Sequence, residues 1–205
     1  AQIHHAAGRW EECLEAARTV AATKPAGSLY AQLPFMIGDS LFRQQKWEEA
    51  LPSLSTFLST RVIRNDEGPT VKAEPNVDTA LIQIAVCHDR TGNRDAALEH
   101  LAIVINDYPG QSSQLPLALA EQGRLAYESG NLVLARASLT KFQSLDTPEN
   151  ATFAKSAARQ RPRVSYYLGW VEASEGKHPA AAASFQAVVA AQARTAPAAV
   201  PVGAA

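Results

Sequence analysis

Residues 81–101 read LIQIAVCHDRTGNRDAALEHL, and this stretch decides the fold. Leu81, Ile84, Ala85 and His88 fall on one face of a helix at the i, i+3, i+4, i+7 spacing. Leu98, Leu101, Val104 and Ile105 mark the apolar face of a second helix. Between them Gly92 is free to reverse the chain, and Ala97, five positions later, is small enough to let the two helices touch. The stretch predicts two antiparallel helices joined by a tight turn.

The same arrangement recurs along the chain. Gly8 leads to Cys13, Gln45 to Ala50, Gly92 to Ala97, Gly130 to Ala135, and Gly176 to Ala181. Short and long gaps alternate between these five small residues, and the stretch from Cys13 to Ala97 is as long as that from Ala97 to Ala181. A two-repeat unit duplicated once produces such a pattern. The long gaps hold two inserts, residues 63–75 and 146–162. Inserts in helical repeats map to loops on one face, which is often a binding face. Helices are expected over 1–7, 9–23, 28–44, 46–60, 77–91, 94–107, 113–129, 131–145, 149–160, 163–175 and 179–194. Ser28, Asp78 and Ser113 are expected as N-caps and Pro179 in a first turn. Pro116 falls early in its helix, whereas Pro34 and Pro52 are expected to bend theirs.

The pattern resembles the tetratricopeptide repeat, W-x2-L-G-x2-Y followed by A-x3-F and P over a period of about 34 residues. Pro34, Ile37, Gly38 and Leu41 with Ala50 and Leu54 fit its register, as do Leu81, Ile84, Ala85, His88, Ala97, Leu101 and Pro109. Leu119, Gln122, Gly123, Ala126, Ala135 and Leu139 form another copy, and Ser165, Leu168, Gly169, Glu172, Ala181 and Phe185 a further one. The first copy keeps its second half in Gly8, Trp10, Cys13, Ala17 and Pro25. The large aromatic at the first pattern position is missing throughout. The resemblance implies an all-α fold, a right-handed superhelical solenoid of about four and a half repeats. These lie near 1–25, 28–62, 77–109, 113–148 and 162–194, followed by a disordered or linker tail, 195–205. Ile103–Gly110 is similar to a helix end found in bacterial cell-envelope members, which implies a periplasmic or envelope setting.

The family's concave-face positions fall on Gln32, Phe35, Asp39, Phe42 and Arg43; on Thr79, Ile82, Val86, Asp89 and Arg90; on Leu117, Ala120, Arg124, Tyr127 and Glu128; and on Arg163, Tyr166, Trp170, Ala173 and Ser174. Aromatic and Arg side chains recur there, the types enriched in interface hot spots. The resemblance therefore implies a protein-interaction scaffold that takes a partner peptide or helix in a groove. Phe35, Phe42, Tyr127, Tyr166 and Trp170 are the candidate anchors, beside Asp39, Arg43, Asp89, Arg90 and Arg124. The Lys/Asn/Lys/Arg clamp by which some members grip chaperone tails is absent. A spacer or oligomerisation module of a larger protein is the alternative use. A third is contact with nucleic acid or an acidic partner through the basic insert residues Lys155, Arg159, Arg161 and Arg163.

Composition narrows the choice. The chain has 205 residues, 46% apolar, with 19 basic and 20 acidic side chains and a formal net charge of −1. That balance argues against wholesale binding to nucleic acid or anionic membranes. About one position in five is alanine, which favours closely packed helices. No run approaches the roughly 18 apolar residues that span a bilayer. Residue 1 is not Met, as expected of a processed chain or a segment of something longer. Cys13 and Cys87 cannot build a disulfide framework.

No nucleotide-binding glycine loop, H-E-x-x-H or G-x-S-x-G occurs, so neither an enzyme nor a cofactor or metal site is expected. Glu11/Glu12 and Glu48/Glu49 complement helix dipoles at their N-termini. His4 and His5 point about 100° apart on a helix and are expected to be solvated. Cys87 is expected in the core, and His88 as a buried, hydrogen-bonded imidazole.

Overall fold

The computed structural model describes residues 1–23, 27, 30–66, 68–108 and 112–195. The expectations for Pro25, Ser28, Pro109 and 196–205 lie outside them. The chain forms two compact units, 1–122 and 123–205. Unit 1 holds α1 (Gln2–Ala6), α2 (Trp10–Ala22), α3 (Leu33–Arg43), α4 (Trp47–Leu58), β1 (Val62–Asn65), β2 (Gly68–Val71), α5 (Val77–Arg90), α6 (Arg94–Ala102), a π-helical segment Ile103–Asp107 and the start of α7 (Leu115–Glu128). Unit 2 holds the end of α7, then α8 (Leu132–Leu145), a 3-10 turn Pro148–Asn150, α9 (Ala151–Ala157), α10 (Arg161–Ser174) and α11 (His178–Thr195).

All five predicted turns share one geometry. Gly8, Gln45, Gly92, Gly130 and Gly176 have φ of 68°, 60°, 86°, 78° and 74°. The residue after each donates its N–H to a carbonyl five positions back: Arg9 to His4, Lys46 to Leu41, Asn93 to His88, Asn131 to Ala126, and Lys177 to Glu172, at 2.8–3.0 Å. This closes one helix by a Schellman motif. The residues following the first four turns occupy the N-cap position of the next helix, and the two asparagines among them cap it with their side chains. Asn93 accepts from Ala96 N–H at 3.2 Å, and Asn131 from Leu134 N–H at 3.0 Å. Gln45 adopts the left-handed conformation without the glycine that relieves it, at a cost of about 1 kcal/mol.

The small residues five positions on are the points of helix contact. Cys13, Ala50, Ala97 and Ala135 are fully buried and Ala181 nearly so. The helices pair accordingly: α3 with α4, α5 with α6, and α10 with α11. In α3, α7 and α10 a glycine approaches its partner helix: Gly38 sits on Leu54, Gly123 on Leu139 and Gly169 on Phe185.

Several local expectations change. The helix expected from residue 28 starts at Leu33, and Pro34 occupies its first turn, where a missing N–H leaves no bond unmade. Helix α4 runs from Trp47 to Leu58 with Pro52 inside it. Asp78 is not an N-cap; Asn76 holds that place with φ 70°, and Asp78 accepts from Ser112 Oγ at 2.7 Å. Ser112, not Ser113, caps the approach to α7 by accepting from Gln114 N–H at 3.0 Å. The helix expected over 94–107 turns π-helical at Ile103.

The insert 63–75 is not a plain loop. Val62–Asn65 pairs antiparallel with Gly68–Val71, placing Val62 opposite Val71 and Ile63 opposite Thr70. Buried Arg61 anchors this hairpin. Its guanidinium lies over the Phe57 ring at 4.1 Å and donates to Phe57 O at 2.8 Å and Glu74 Oε2 at 2.9 Å.

Candidate partner-binding faces

In unit 1 the expected face is partly interior. Phe35 is buried against Phe57 and His5, with ring centroids 5.3 and 6.1 Å away. Asp39 is 2% exposed and collects three partners from three helices. His5 Nε2 lies 2.8 Å from Oδ2, Arg43 Nε donates to Oδ1 at 3.2 Å, and Gln83 Nε2 donates to the same oxygen. His5 is therefore not a solvated residue; it docks α1 onto α3. Phe35 and Asp39 thus face inward, and the open part of this face is carried by Phe42, Arg43 and Arg90. Phe42 packs edge-on against Trp47 at 5.1 Å, and Arg43 reaches over the Trp10 ring at 5.6 Å. Asp89 is half-buried and Arg90 exposed.

In unit 2 the corresponding residues are more open. Tyr166 and Trp170 lie one turn apart on α10 and are 44% and 42% exposed. Both rings meet Phe185 of α11, at 6.3 and 5.4 Å, and each other at 6.3 Å. This edge-to-face cluster holds the two aromatics in place without covering them. Tyr127 packs against Tyr167 at 5.8 Å. Tyr167 donates its hydroxyl to Glu128 Oε1 at 2.9 Å, and Arg124 pairs with Glu128 Oε2 at 2.9 Å. Burial, then the hydrogen bond to Glu128, pushes the Tyr167 hydroxyl up to about 12. Tyr167, Gln83 and His5 are not among the expected site residues, because each acts through a partner about one repeat distant.

The basic insert residues Lys155, Arg159, Arg161 and Arg163 are all exposed; Arg161 makes two 2.7 Å bonds to Asp146, and Arg163 also has an interaction partner. The same segment folds as a 3-10 turn and α9, whose Phe153 packs on Phe142 at 5.3 Å.

Cys87 is fully buried, and burial pushes its thiol up to about 12, so it packs as a small hydrophobe. His88 is half-buried, its ring 5.5 Å from that of His100. Desolvation lowers the pKa of both from the usual 6.5, against the opposing pull of Glu99. An imidazole that resists protonation in the folded state leaves the unfolded chain binding more protons, so stability falls as pH drops below about 6.5. Thermal melts at pH 7.5 and 5.5 are expected to show this loss, and His100→Gln to reduce it. An equal acid loss in that variant would assign the effect elsewhere. Among the described residues no three His, Cys, Asp or Glu side chains gather as a metal site. No helix among them is long and apolar enough to cross a membrane.

Paired helices, left-handed turns and small contact residues in one register define a helical-repeat protein. Tetratricopeptide-repeat family models match residues 79–110 and 121–197. The chain is a tetratricopeptide-repeat protein with an all-α solenoid fold. It is similar to two crystal structures of MamA. One has 13% identity and a TM-score of 0.64, covering 93% of each chain. The other has 15% identity and a TM-score of 0.65, covering 98% of this chain and 93% of that one. No curated protein matches it. The repeat architecture is a non-enzymatic type that binds protein partners, which makes this chain a protein–protein interaction scaffold in general terms.

Proposed function

We propose that the scaffold grips a partner segment through the aromatic face of α10, with Tyr166 and Trp170 as anchors and Tyr127 and Arg124 beside them. The observation that carries this reading is the exposure of two large aromatics already fixed by Phe185. A rigid aromatic loses little rotamer freedom on binding, and Tyr, Trp and Arg dominate interface hot spots. In unit 1, Phe42, Arg43 and Arg90 offer a separate contact of the same kind.

The test selects peptides from a displayed random library on the full chain and measures their affinity by fluorescence anisotropy. Trp170→Ala and Tyr166→Ala are each expected to weaken binding about tenfold or more while leaving Tm nearly unchanged. A fall in Tm with no selective loss of affinity would make both residues packing elements and reject the reading.

A further inference from the structure

The hairpin insert builds a crevice that no repeat position requires. Its floor is aliphatic and buried: Leu58 from α4, Leu81 and Ile84 from α5, and Ile103, where the chain turns π-helical. Such π-turns recur at functional sites. Strand alternation sends Val62 and Arg64 of β1 to the crevice side, while Ile63 between them points away and is 49% exposed. Ser55 and Ser59 form an exposed polar lip.

The volume is about 160 Å³. A dry cavity of about that size lined by Leu, Ile and Phe holds a group as large as benzene. One branched aliphatic or single-ring side chain therefore fills it. The mouth carries no net charge, because the Arg64 guanidinium is bonded to Glu99 of α6. His100 bonds through Nδ1 to Ala96 O at 2.8 Å, and its ring lies against His88 of α5. The facing α4 residues are serines. A charged occupant would meet no uncompensated partner, whereas an apolar one would meet a matching floor.

We propose that this crevice is a second recognition site, which takes one uncharged leucine- or phenylalanine-sized side chain from a protein partner. Every residue it uses belongs to unit 1, whereas the α10 face belongs to unit 2.

The full chain, methyl-labelled for NMR, is titrated with N-acetyl-leucinamide, N-acetyl-phenylalaninamide and N-acetyl-asparaginamide. Saturable shifts centred on Leu58, Val62, Leu81, Ile84 and Ile103 are expected for the first two at millimolar concentration, the range a group of that size supports. The polar amide is expected to bind at least about tenfold more weakly. Ser59→Phe, a change at an exposed lip position, fills the mouth and removes the response. Should it fail to fold, Ser55→Trp serves the same end. Trp170→Ala leaves the response intact, which separates this site from the α10 face. Shifts that never saturate, equal binding of the asparagine amide, or a response that survives the blocking variant would overturn the proposal.

Discussion

Replacing Asp39 with alanine lowers stability by about 3 kcal/mol. The carboxylate is interior, and it joins α1, α3 and α5 through His5, Arg43 and Gln83. Removing it leaves the Gln83 amide without an acceptor. Gln83 is 3% exposed, and its carbonyl oxygen already has no hydrogen-bond partner. An unsatisfied buried polar group costs about 1–3 kcal/mol, and breaking a buried charge pair about 3–5 kcal/mol. The estimate sits at the lower end of the second range because the Arg43 side chain is half exposed and regains water. Asp39→Asn keeps an acceptor for Gln83 and loses the charge, so its effect is expected near half as large. At about 4–8 °C per kcal/mol for a unit of roughly 100 residues, Asp39→Ala drops Tm by more than about 10 °C. If Tm moves by only about 1 °C, Asp39 is no structural hub and belongs with the surface residues.

Asp39 also marks where sequence reading stops. Its repeat position faces the groove in this family, and nothing nearby in sequence signals burial. The signal is distributed: His5 lies 34 residues before it and Gln83 44 residues after it, each on another repeat's first helix. A carboxylate is tolerated inside only when such partners converge, and convergence is a tertiary fact. The turns were legible because their chemistry is local. Even Gln45, which breaks the glycine pattern, takes φ 60° since the turn requires a left-handed residue there. The hairpin was not legible. Two four-residue strands around Gly68, with Pro69 in one of them, are too short to show alternation, and Arg61 holds them by bonds to α4 and Glu74. On the candidate faces, register placed Tyr166 and Trp170 on one side of α10. It carried no information on which aromatics a neighbour would cover, so buried Phe35 and exposed Trp170 looked alike.

The three helix-contact glycines are expected to respond to alanine in a set order, with Gly38 worst, Gly123 next and Gly169 least affected. In an uncrowded helix, Gly→Ala gains roughly 1 kcal/mol from helix propensity. Here the added Cβ of residue 38 would lie 2.6 Å from Leu54 Cγ and 3.1 Å from Leu54 N. Leu54 is fully buried, and its backbone nitrogen cannot swing aside as a side-chain atom can, so α3 and α4 must separate. Overpacking of that kind costs about 1–3 kcal/mol. With the whole α3–α4 contact affected, Gly38→Ala is expected to lose about 2 kcal/mol net. At residue 123 the clash is with Leu139 Cδ2 and Cγ at 2.5 and 2.6 Å, side-chain atoms alone, and about 1 kcal/mol is lost. At residue 169 the Cβ meets the Phe185 ring at 2.7–3.0 Å, but that ring is half-buried and has more room to shift than the fully buried Leu54 and Leu139, so the loss is the smallest of the three. The same position on α5 carries Ala85, buried in its pair with α6, so the fold accepts a methyl where helix spacing is set for it. A double variant isolates the cause. Leu54→Ala alone removes a buried side chain and costs about 2–5 kcal/mol, yet it also makes room for a methyl at residue 38. The pair Gly38→Ala with Leu54→Ala is therefore expected to be more stable than the sum of the single effects by about 1–2 kcal/mol. Strict additivity, or a rise in Tm for Gly38→Ala alone, would mean that close approach of α3 to α4 is not what the glycine provides.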